Sequence, residues 1–467
     1  MSCPARRPTV AAVRSTALVA AVALLGACLA PASDPGTSPL GPTDTPVPGA
    51  STAIAVPTPT PAPIRGTPPL SAGAVPDAGV LYVVGSDDGI YRYDGASGRL
   101  DPVWRASTFD RAGDEGAYVV GRHGGLTLLR WDGTTRDVGC GSGYGSVSAT
   151  GGCLSYGTDG VSVRLAGEST ARPVLPADWG AGGAVWSPDG TRLLILRSIR
   201  ARPGPGLDPG QTALWLLERD GRLRELYRPA PQGILRAPRW SPDGTSALVL
   251  RIGTTSNSFA ADGAETATLL VNIGTGRVID LGVVLNSGWA RWGPDGSLAY
   301  VRGGGRMTWE NKTLIVRSPD GRERVRNVSG DRVALAPDWD AAHGRLGWVS
   351  GPAAPGSGNG DGYIDGLGGG ARVGVVADDV RSTEVRCGEG RVVEGLRFSN
   401  DGDVLLLLCR KPGRDPRPLE LWLYRIADGT TAPLVRGLAS DPYAAGFGFY
   451  GMQPNLIAIT AWSRAVR

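Results

Sequence analysis

Two histidines are the side chains of this sequence best suited to acid–base chemistry or zinc binding. His123 lies in an Arg-His-Gly-Gly stretch and His343 in an Ala-His-Gly stretch, and both stretches are typical of loops. Neither histidine has a second His or a Cys at the spacing of a zinc site. No serine stands in a Gly-x-Ser-x-Gly elbow, the turn that exposes a nucleophile in α/β-hydrolases. The sequence therefore identifies no catalytic residue, and this favours a protein without enzymatic activity.

One segment has the spacing of a cation-binding loop. Residues 357–365 read Ser-Gly-Asn-Gly-Asp-Gly-Tyr-Ile-Asp and resemble the first nine positions of a calcium loop of the EF-hand or dockerin kind. Ser357 stands where an Asp is expected, and Gly368 where a bidentate acid is expected, so a glycine-rich insert between strands is the alternative. Any calcium would be structural. The resemblance implies oxygen ligands from Asn359, Asp361, the Tyr363 carbonyl and Asp365.

The first 27 residues have the pattern of a secretory signal. Arg6, Arg7 and Arg14 precede the apolar run 17–27, which is shorter than the roughly 20 apolar residues of a spanning helix. The run ends in Leu-Gly-Ala-Cys, which resembles the bacterial lipobox. This resemblance implies lipidation of Cys28 as the mature N-terminus, and several acyl chains would anchor it stably. An ordinary signal with an incidental cysteine is the alternative.

Residues 28–76 predict an extended stalk, because they are rich in proline and threonine and poor in apolar side chains. The chain then divides into a signal (1–27), a stalk (28–76) and a folded body (77–467). The formal charge of +4 falls to about +1 without the three signal arginines. Nucleic-acid binding needs a strong basic excess, so it is not expected.

A repeat of about 53 residues fills most of the folded body. Each copy places an aromatic residue at the end of one strand, a tight turn, and then an apolar strand. A degenerate copy, Pro337 to Asp340, falls within the last gap. The clear copies are Trp186-Ser187-Pro188-Asp189-Gly190, Trp240-Ser241-Pro242-Asp243-Gly244, Trp292-Gly293-Pro294-Asp295-Gly296 and Phe398-Ser399-Asn400-Asp401-Gly402.

A second hairpin follows the motif strands in each copy. The number of these hairpins gives the number of structural units. Four strands per unit without helical stretches indicate an all-β fold, a single β-propeller of four-stranded blades. Eight blades are expected, with seven as the alternative. An unpartnered strand pair, 446–450 and 456–462, would close the ring in the first blade, which lacks a first strand. The hairpins lie near Ile90, Leu126, Val161, Leu214, Leu269, Leu314, Val373 and Leu421.

The Trp-Ser-Pro-Asp-Gly copies resemble the WD40-like repeats of TolB-type propellers and of the propeller in dipeptidyl-peptidase-IV-type enzymes. The clear copies cover residues 180–437, and weaker ones extend back to about residue 80. The resemblance implies the fold but little about function, because these motifs serve blade packing. The expected propeller leaves no residues for the hydrolase domain of the peptidases, so that domain is not expected.

Four cysteines remain besides Cys3 and Cys28, and they allow three disulfide pairings. Their positions in the repeat favour one pairing, since each pair would join the end of one blade to the second strand of the next. Each bond would stabilise the fold by about 3 kcal/mol. Two such bonds indicate an oxidising, extracytoplasmic location. The predicted pairs are Cys140 with Cys153 and Cys387 with Cys409.

Four long inserts between second and third strands should share one rim of the ring: 200–211, 254–266, 351–371 and 411–419. Long loops on one rim favour a binding surface. We therefore expect a propeller anchored by lipid to the outer face of the cytoplasmic membrane or the cell surface. It would bind or scaffold an envelope protein, peptide or glycan on that rim or in its channel. The alternatives are a hydrolase or lyase with its site in the channel, and an envelope sensor or assembly factor.

Overall fold

The computed structural model describes the chain in segments between Leu70 and Ser463. These segments contain strands, turns and three short 3-10 helices, at Pro76–Ala78, Ala177–Trp179 and Ser287–Trp289. None of their helices is long and apolar enough to cross a membrane. The described residues are 70–85, 89–105, 108–113, 116–120, 126–138, 145–148, 150–157, 159–165, 167–179, 181–199, 211–230, 233–252, 267–284, 287–303, 311–327, 332–353, 373–377, 382–411, 419–438 and 459–463.

Eight antiparallel sheets form the blades of a β-propeller, which confirms the predicted fold and blade number. All eight hairpin positions expected from the sequence contain the third strand of a blade. The strands of blades 1 to 4 are β33 (Ile459–Ser463), β2 (Val80–Val84), β3 (Gly89–Asp94) and β4 (Arg99–Arg105); β5 (Thr108–Gly113), β6 (Gly116–Val120), β7 (Leu126–Arg130) and β8 (Thr135–Asp137); β9 (Gly145–Val147), β10 (Cys153–Gly157), β11 (Gly160–Arg164) and β12 (Arg172–Pro176); and β13 (Ala181–Trp186), β14 (Leu193–Ile199), β15 (Gln211–Leu217) and β16 (Leu223–Tyr227).

Blades 5 to 8 follow the same order, and blade 8 has a fifth strand on its outer edge. Most first strands contact the first strand of the next blade, so the first strands form the inner wall of the ring. The strands are β17 (Ile234–Trp240), β18 (Ser246–Ile252), β19 (Ala267–Asn272) and β20 (Val278–Asp280); β21 (Ala290–Trp292), β22 (Leu298–Arg302), β23 (Thr313–Arg317) and β24 (Glu323–Asn327); β25 (Arg332–Trp339), β26 (Leu346–Pro352), β27 (Val373–Ala377) and β28 (Ser382–Val385); and β29 (Val392–Phe398), β30 (Val404–Arg410), β31 (Leu419–Arg425), β32 (Thr431–Leu438) and β1 (Ser71–Ala72).

Both ends of the described chain close the ring. Strand β33 pairs with β2 and becomes the missing first strand of blade 1, as expected from the sequence. Strand β1 pairs with β32, so blade 8 contains five strands. The sheet therefore begins at Ser71, inside the stretch predicted as stalk. Residues 439–458, which include most of the predicted closing strand pair, lie outside the described residues.

The repeated motif forms the turn between the first and second strands. In blade 4, the Ser187 hydroxyl donates to Asp189 Oδ1 at 2.5 Å, and that oxygen also accepts from the Thr191 amide at 3.1 Å. Gly190 has a φ of 68°, which a residue with a Cβ adopts only with strain. The Trp186 indole donates to the Ser146 carbonyl of blade 3 at 3.4 Å. The motif therefore shapes one blade and attaches it to the preceding one.

The predicted Cys387–Cys409 disulfide is present and links blade 7 to blade 8. Cys387 follows β28, and Cys409 lies on β30 with no exposed surface. Cys153 also lies on a second strand, but at a different height. It pairs with Val147 at the end of the first strand, whereas the equivalent pair in blade 8 is Phe398 with Leu405, four residues before Cys409. Cys153 and Cys409 therefore lie at different heights on their strands. Cys140 lies outside the described residues, so its bond stays a prediction.

Candidate functional site

Four charged side chains lie at one level on the inner strands of blades 5 to 8. Each directly precedes the motif aromatic of its blade, close to the mouth of the channel that the motif turns surround. We call them the inner ring: Arg239, Arg291, Asp338 and Arg397. The equivalent residues of blades 3 and 4 are Ser146 and Val185. This equivalence rests on the carbonyls of Ser146, Val185 and Arg291, which each accept the indole of the next blade's motif tryptophan.

Inner-ring side chains reach the inner strand of the next blade. Arg239 Nη2 donates to the Ala290 carbonyl at 3.1 Å. Asp338 Oδ2 accepts from the Phe398 amide at 2.9 Å. Arg291 Nε lies 3.8 Å from Asp338 Oδ1. The ring therefore joins blades as well as carrying charge.

The inner ring combines three cations with one carboxylate in a partly desolvated place. Burial, reinforced by the charge of Arg291, lowers the pKa of Arg239 to about 9. Burial raises the pKa of Asp338 above its usual value, although the charge of Arg291 opposes this. Burial also lowers the pKa of Arg397, an effect that Asp338 opposes and Arg291 reinforces. The side chains of Arg291 and Asp338 keep 38% and 21% of their surface exposed, so water reaches the ring.

Arg397 is the inner-ring side chain with the fewest contacts to other polar groups of the described residues. To the described residues its guanidinium makes neither a hydrogen bond nor an ion pair. A guanidinium offers five N–H donors in a planar fork that matches carboxylate, phosphate and sulfate. The geometry can therefore hold an anion.

Irregular backbone directs two members of the inner ring. Strand β17 has a register shift between Arg236 and Arg239, and β25 has one between Leu335 and Asp338. Both irregularities contain an Ala-Pro pair, whose proline has no amide to donate to the sheet. Ala336, in the second pair, has a φ of 47°, which is strained for a residue with a Cβ.

The structure reassigns the degenerate repeat copy in blade 7. Trp339 occupies the motif position, so Asp338 belongs to β25 and not to the turn. The turn itself is centred on Asp340, which is completely buried. Its carboxylate accepts from Arg345 Nε at 2.6 Å and lies 3.0 Å from His343 Nδ1. His343 is thus in a turn, as predicted, while its partners are structural.

A cleft of about 650 Å³ opens between blades 6 and 7 on the motif-turn side. Arg322, Arg324 and Arg326 of blade 6 line one wall together with one carboxylate, Asp295, and the other wall is formed by Trp339, His343 and Trp348 of blade 7. Trp348 Nε1 is buried and has no partner among the described residues. The cleft is therefore basic on one side and aromatic on the other.

Most predicted site residues lie outside the described segments, and predictions about them stay untested: Cys28, Cys140, His123, Asn359, Asp361, Tyr363 and Asp365. Within those segments, no group of three potential ligands could hold a metal ion. Each of the four predicted inserts falls between a second and a third strand, as expected. That rim is opposite the motif turns, so the described charged sites lie near the other face. Sequence reasoning missed the inner ring, although aligning the repeats on their aromatic residue would have revealed it.

No protein-family model and no curated protein matches the sequence. Among solved structures, the chain is similar to dipeptidyl peptidase 4 from Porphyromonas gingivalis, with 12% identity and a TM-score of 0.51 over 81% of this chain and 60% of that one. It is also similar to the β-propeller domain of the Trilobed protease from Pyrococcus furiosus (13% identity, TM-score 0.36, 70% of this chain and 84% of that one). A third neighbour is TolB from Acinetobacter baumannii (15% identity, TM-score 0.29, 60% of this chain and 63% of that one). At these identities the likeness shows the fold alone. The chain spans less than two thirds of the length of the dipeptidyl peptidase.

Proposed function

We propose that this chain is a lipid-anchored extracytoplasmic binding module for an envelope protein, peptide or glycan. Cys28 and the stalk of residues 28–76 would hold the propeller off the membrane. The inner ring would hold an anionic group of the ligand. The observation that carries this proposal is the excess of three guanidinium groups over one carboxylate at a single level of the inner wall.

Electrostatics supports an anion at the inner ring. Arg239 and Arg291 repel each other, and Asp338 is the single carboxylate among the four side chains. Attraction between charges strengthens where water is partly excluded. A carboxylate, phosphate or sulfate beside Arg397 would form charge-assisted hydrogen bonds and relieve the repulsion. Ligand binding would therefore stabilise the fold.

The proposed binding site lies at the end of the channel that the motif turns surround. The inner ring immediately precedes the motif turns, whereas the long inserts flank the opposite rim. A ligand on the long-insert rim stays a prediction. A ligand in the channel would place its anionic group among the inner-ring arginines.

Thermal unfolding of the full chain in detergent tests this proposal. Sulfate, exchanged for chloride at constant ionic strength, should raise the melting temperature by several degrees, since an anion at 100 times its Kd adds about 2.7 kcal/mol. Arg397→Gln should abolish most of the shift. Arg236→Gln, on the same inner wall but before the β17 irregularity, is the matched control and should keep it. Equal shifts in both variants would contradict the proposal.

A hydrolase or lyase is the second candidate, favoured by the raised pKa of Asp338 beside Arg291. A carboxyl group with a raised pKa is better suited to accept and return a proton near neutral pH. Acidic oligosaccharides and peptides, incubated with the purified chain and analysed by mass spectrometry, test it. Turnover that Asp338→Asn abolishes would replace the binding-only proposal.

A further inference from the structure

Strand β24 has the longest exposed run among the outer strands of the described blades, although all three residues of β8 in blade 2 are exposed as well. Its first four residues, Glu323 to Arg326, are all exposed. In the outer strands β12, β16 and β28, by contrast, one residue each is buried. Val325 is 53% exposed and is the exposed large hydrophobic residue of the described chain. An edge strand with an apolar side chain in water is open to pairing with another strand.

Side chains of β24 alternate between its two faces, so its acidic residue and its arginines lie on opposite faces. Glu323 is already engaged within blade 6, since it accepts from the Tyr300 hydroxyl at 2.9 Å and pairs with Arg317 at 3.1 Å. Arg324 and Arg326 point to the other face, towards the cleft between blades 6 and 7. Arg324 makes no hydrogen bond or ion pair with the described residues. The cleft therefore contains an uncompensated cation at the free sheet edge.

We propose that the cleft between blades 6 and 7 binds an extended acidic peptide segment of a partner protein. The segment would run along β24 as an added strand. Its main chain would pair with the free edge, and its acidic side chains would face Arg324 and Arg326. This site is separate from the inner ring, so the two proposals are independent.

Strand geometry favours a peptide over a glycan. Side chains two residues apart on a strand lie about 6.5 to 7 Å apart, and alternate acids of an extended peptide have the same spacing as Arg322, Arg324 and Arg326. Arg322 is already held by Asp320 at 2.6 Å, so Arg324 is the arginine of the three that makes no hydrogen bond or ion pair with the described residues. The N-terminal segment of this chain is a poor occupant, because residues 1–69 contain only Asp34 and Asp44 as acids against four arginines.

Fluorescence anisotropy with two labelled nine-residue peptides of equal composition tests the proposal. One peptide alternates Glu with Thr, and the other carries its Glu residues in one block. The alternating peptide should bind the full chain at least fivefold more tightly. Arg324→Glu should weaken its binding at least tenfold. The matched control is Arg99→Glu, on the outer strand β4 of blade 1, where the arginine is 72% exposed, and binding should change less than twofold.

Three results would overturn the proposal. The first is equal affinity for the two peptides, which would mean that net charge alone attracts them. The second is equal loss in the two arginine variants. The third is tighter binding of a sulfated oligosaccharide that Arg324→Glu also abolishes, since the site would then recognise a glycan.

Discussion

Blades 3 and 4 share the order of their first four strands with blades 5 to 8, but the two groups differ in charge at one position of the inner strand. In every blade where the bond is made, the motif tryptophan donates to a carbonyl on the inner strand of the preceding blade. The residue at this position is Ser146 in blade 3 and Val185 in blade 4. In blades 5 to 8 it is always charged. Because the carbonyl belongs to the backbone, the tryptophan bond does not restrict which side chain stands at this position.

The turn of blade 7 should respond more strongly to mutation than the equivalent turn of blade 4. Asp340→Ala removes a completely buried carboxylate that accepts from Arg345 and from the Ala342 amide. It leaves the Arg345 guanidinium without its carboxylate, so the free energy of unfolding should fall by about 3 kcal/mol. Chemical denaturation measures this loss.

The equivalent substitution in blade 4 is the control. Asp189→Ala removes a partly exposed turn carboxylate bonded to Ser187 and to the Thr191 amide, and it should cost only about 1 kcal/mol. Similar losses in the two variants would show that the blade 7 turn is not a distinct structure.

Two motif tryptophans should differ in how much their indole nitrogen contributes. Trp240 Nε1 donates to the Val185 carbonyl at 3.0 Å, whereas Trp292 Nε1 is buried without a partner among the described residues. Trp240→Phe should therefore lower the free energy of unfolding by about 1 kcal/mol. Trp292→Phe should lower it much less, because it removes an unsatisfied donor. A larger loss for Trp292→Phe in urea unfolding would contradict this assignment.

The smallest expected effect is on the pH dependence of stability. The pKa of Asp338 is raised in the folded state, so the folded chain binds its proton more tightly than the unfolded chain does. Its contribution to stability must then fall as pH rises from the unfolded pKa, about 3.9, through the folded one. The stability of the wild type minus that of Asp338→Asn should decrease over this window, as measured by urea unfolding.

For Asp189→Asn, the stability difference between the wild type and the variant should change with pH in the opposite direction. Burial raises the pKa of Asp189, but hydrogen bonds from Ser187 and Thr191 together outweigh it and leave the pKa lowered. The corresponding stability difference should therefore increase with pH, from the folded pKa to the unfolded one. The same sign for both residues would contradict the contrast between the two positions.

Much of the fold was predictable because the same sequence pattern recurs in successive blades. The Pro-Asp-Gly turns and the eight third strands are local features that the sequence repeats, and they give the blade number directly. The position of β1 was not predictable, since two residues, Ser71 and Ala72, carry no strand pattern and find their place only when β32 is beside them. The height of Cys153 on its strand was missed for a similar reason, because pairing register sets it.

The candidate site was harder to predict than the fold. A single charged residue before an aromatic carries no motif, and Asp338 was hidden in a copy whose turn had changed. Aligning the repeats on their aromatic residue gives Arg239, Arg291, Asp338 and Arg397 the same position in the repeat, and the ring of blades then places them at one level of the inner wall. The exposed edge of β24 likewise depends on how neighbouring blades leave it uncovered.

Locating a bound selenate ion by anomalous diffraction would test most directly whether the inner ring binds anions. Crystals of the propeller soaked in selenate should show an anomalous peak within hydrogen-bond distance, about 3 Å, of the Arg397 guanidinium. The peak should disappear in crystals of Arg397→Gln and persist in those of Arg236→Gln. Selenate found only at exposed outer arginines, with none at the inner ring, would contradict the account.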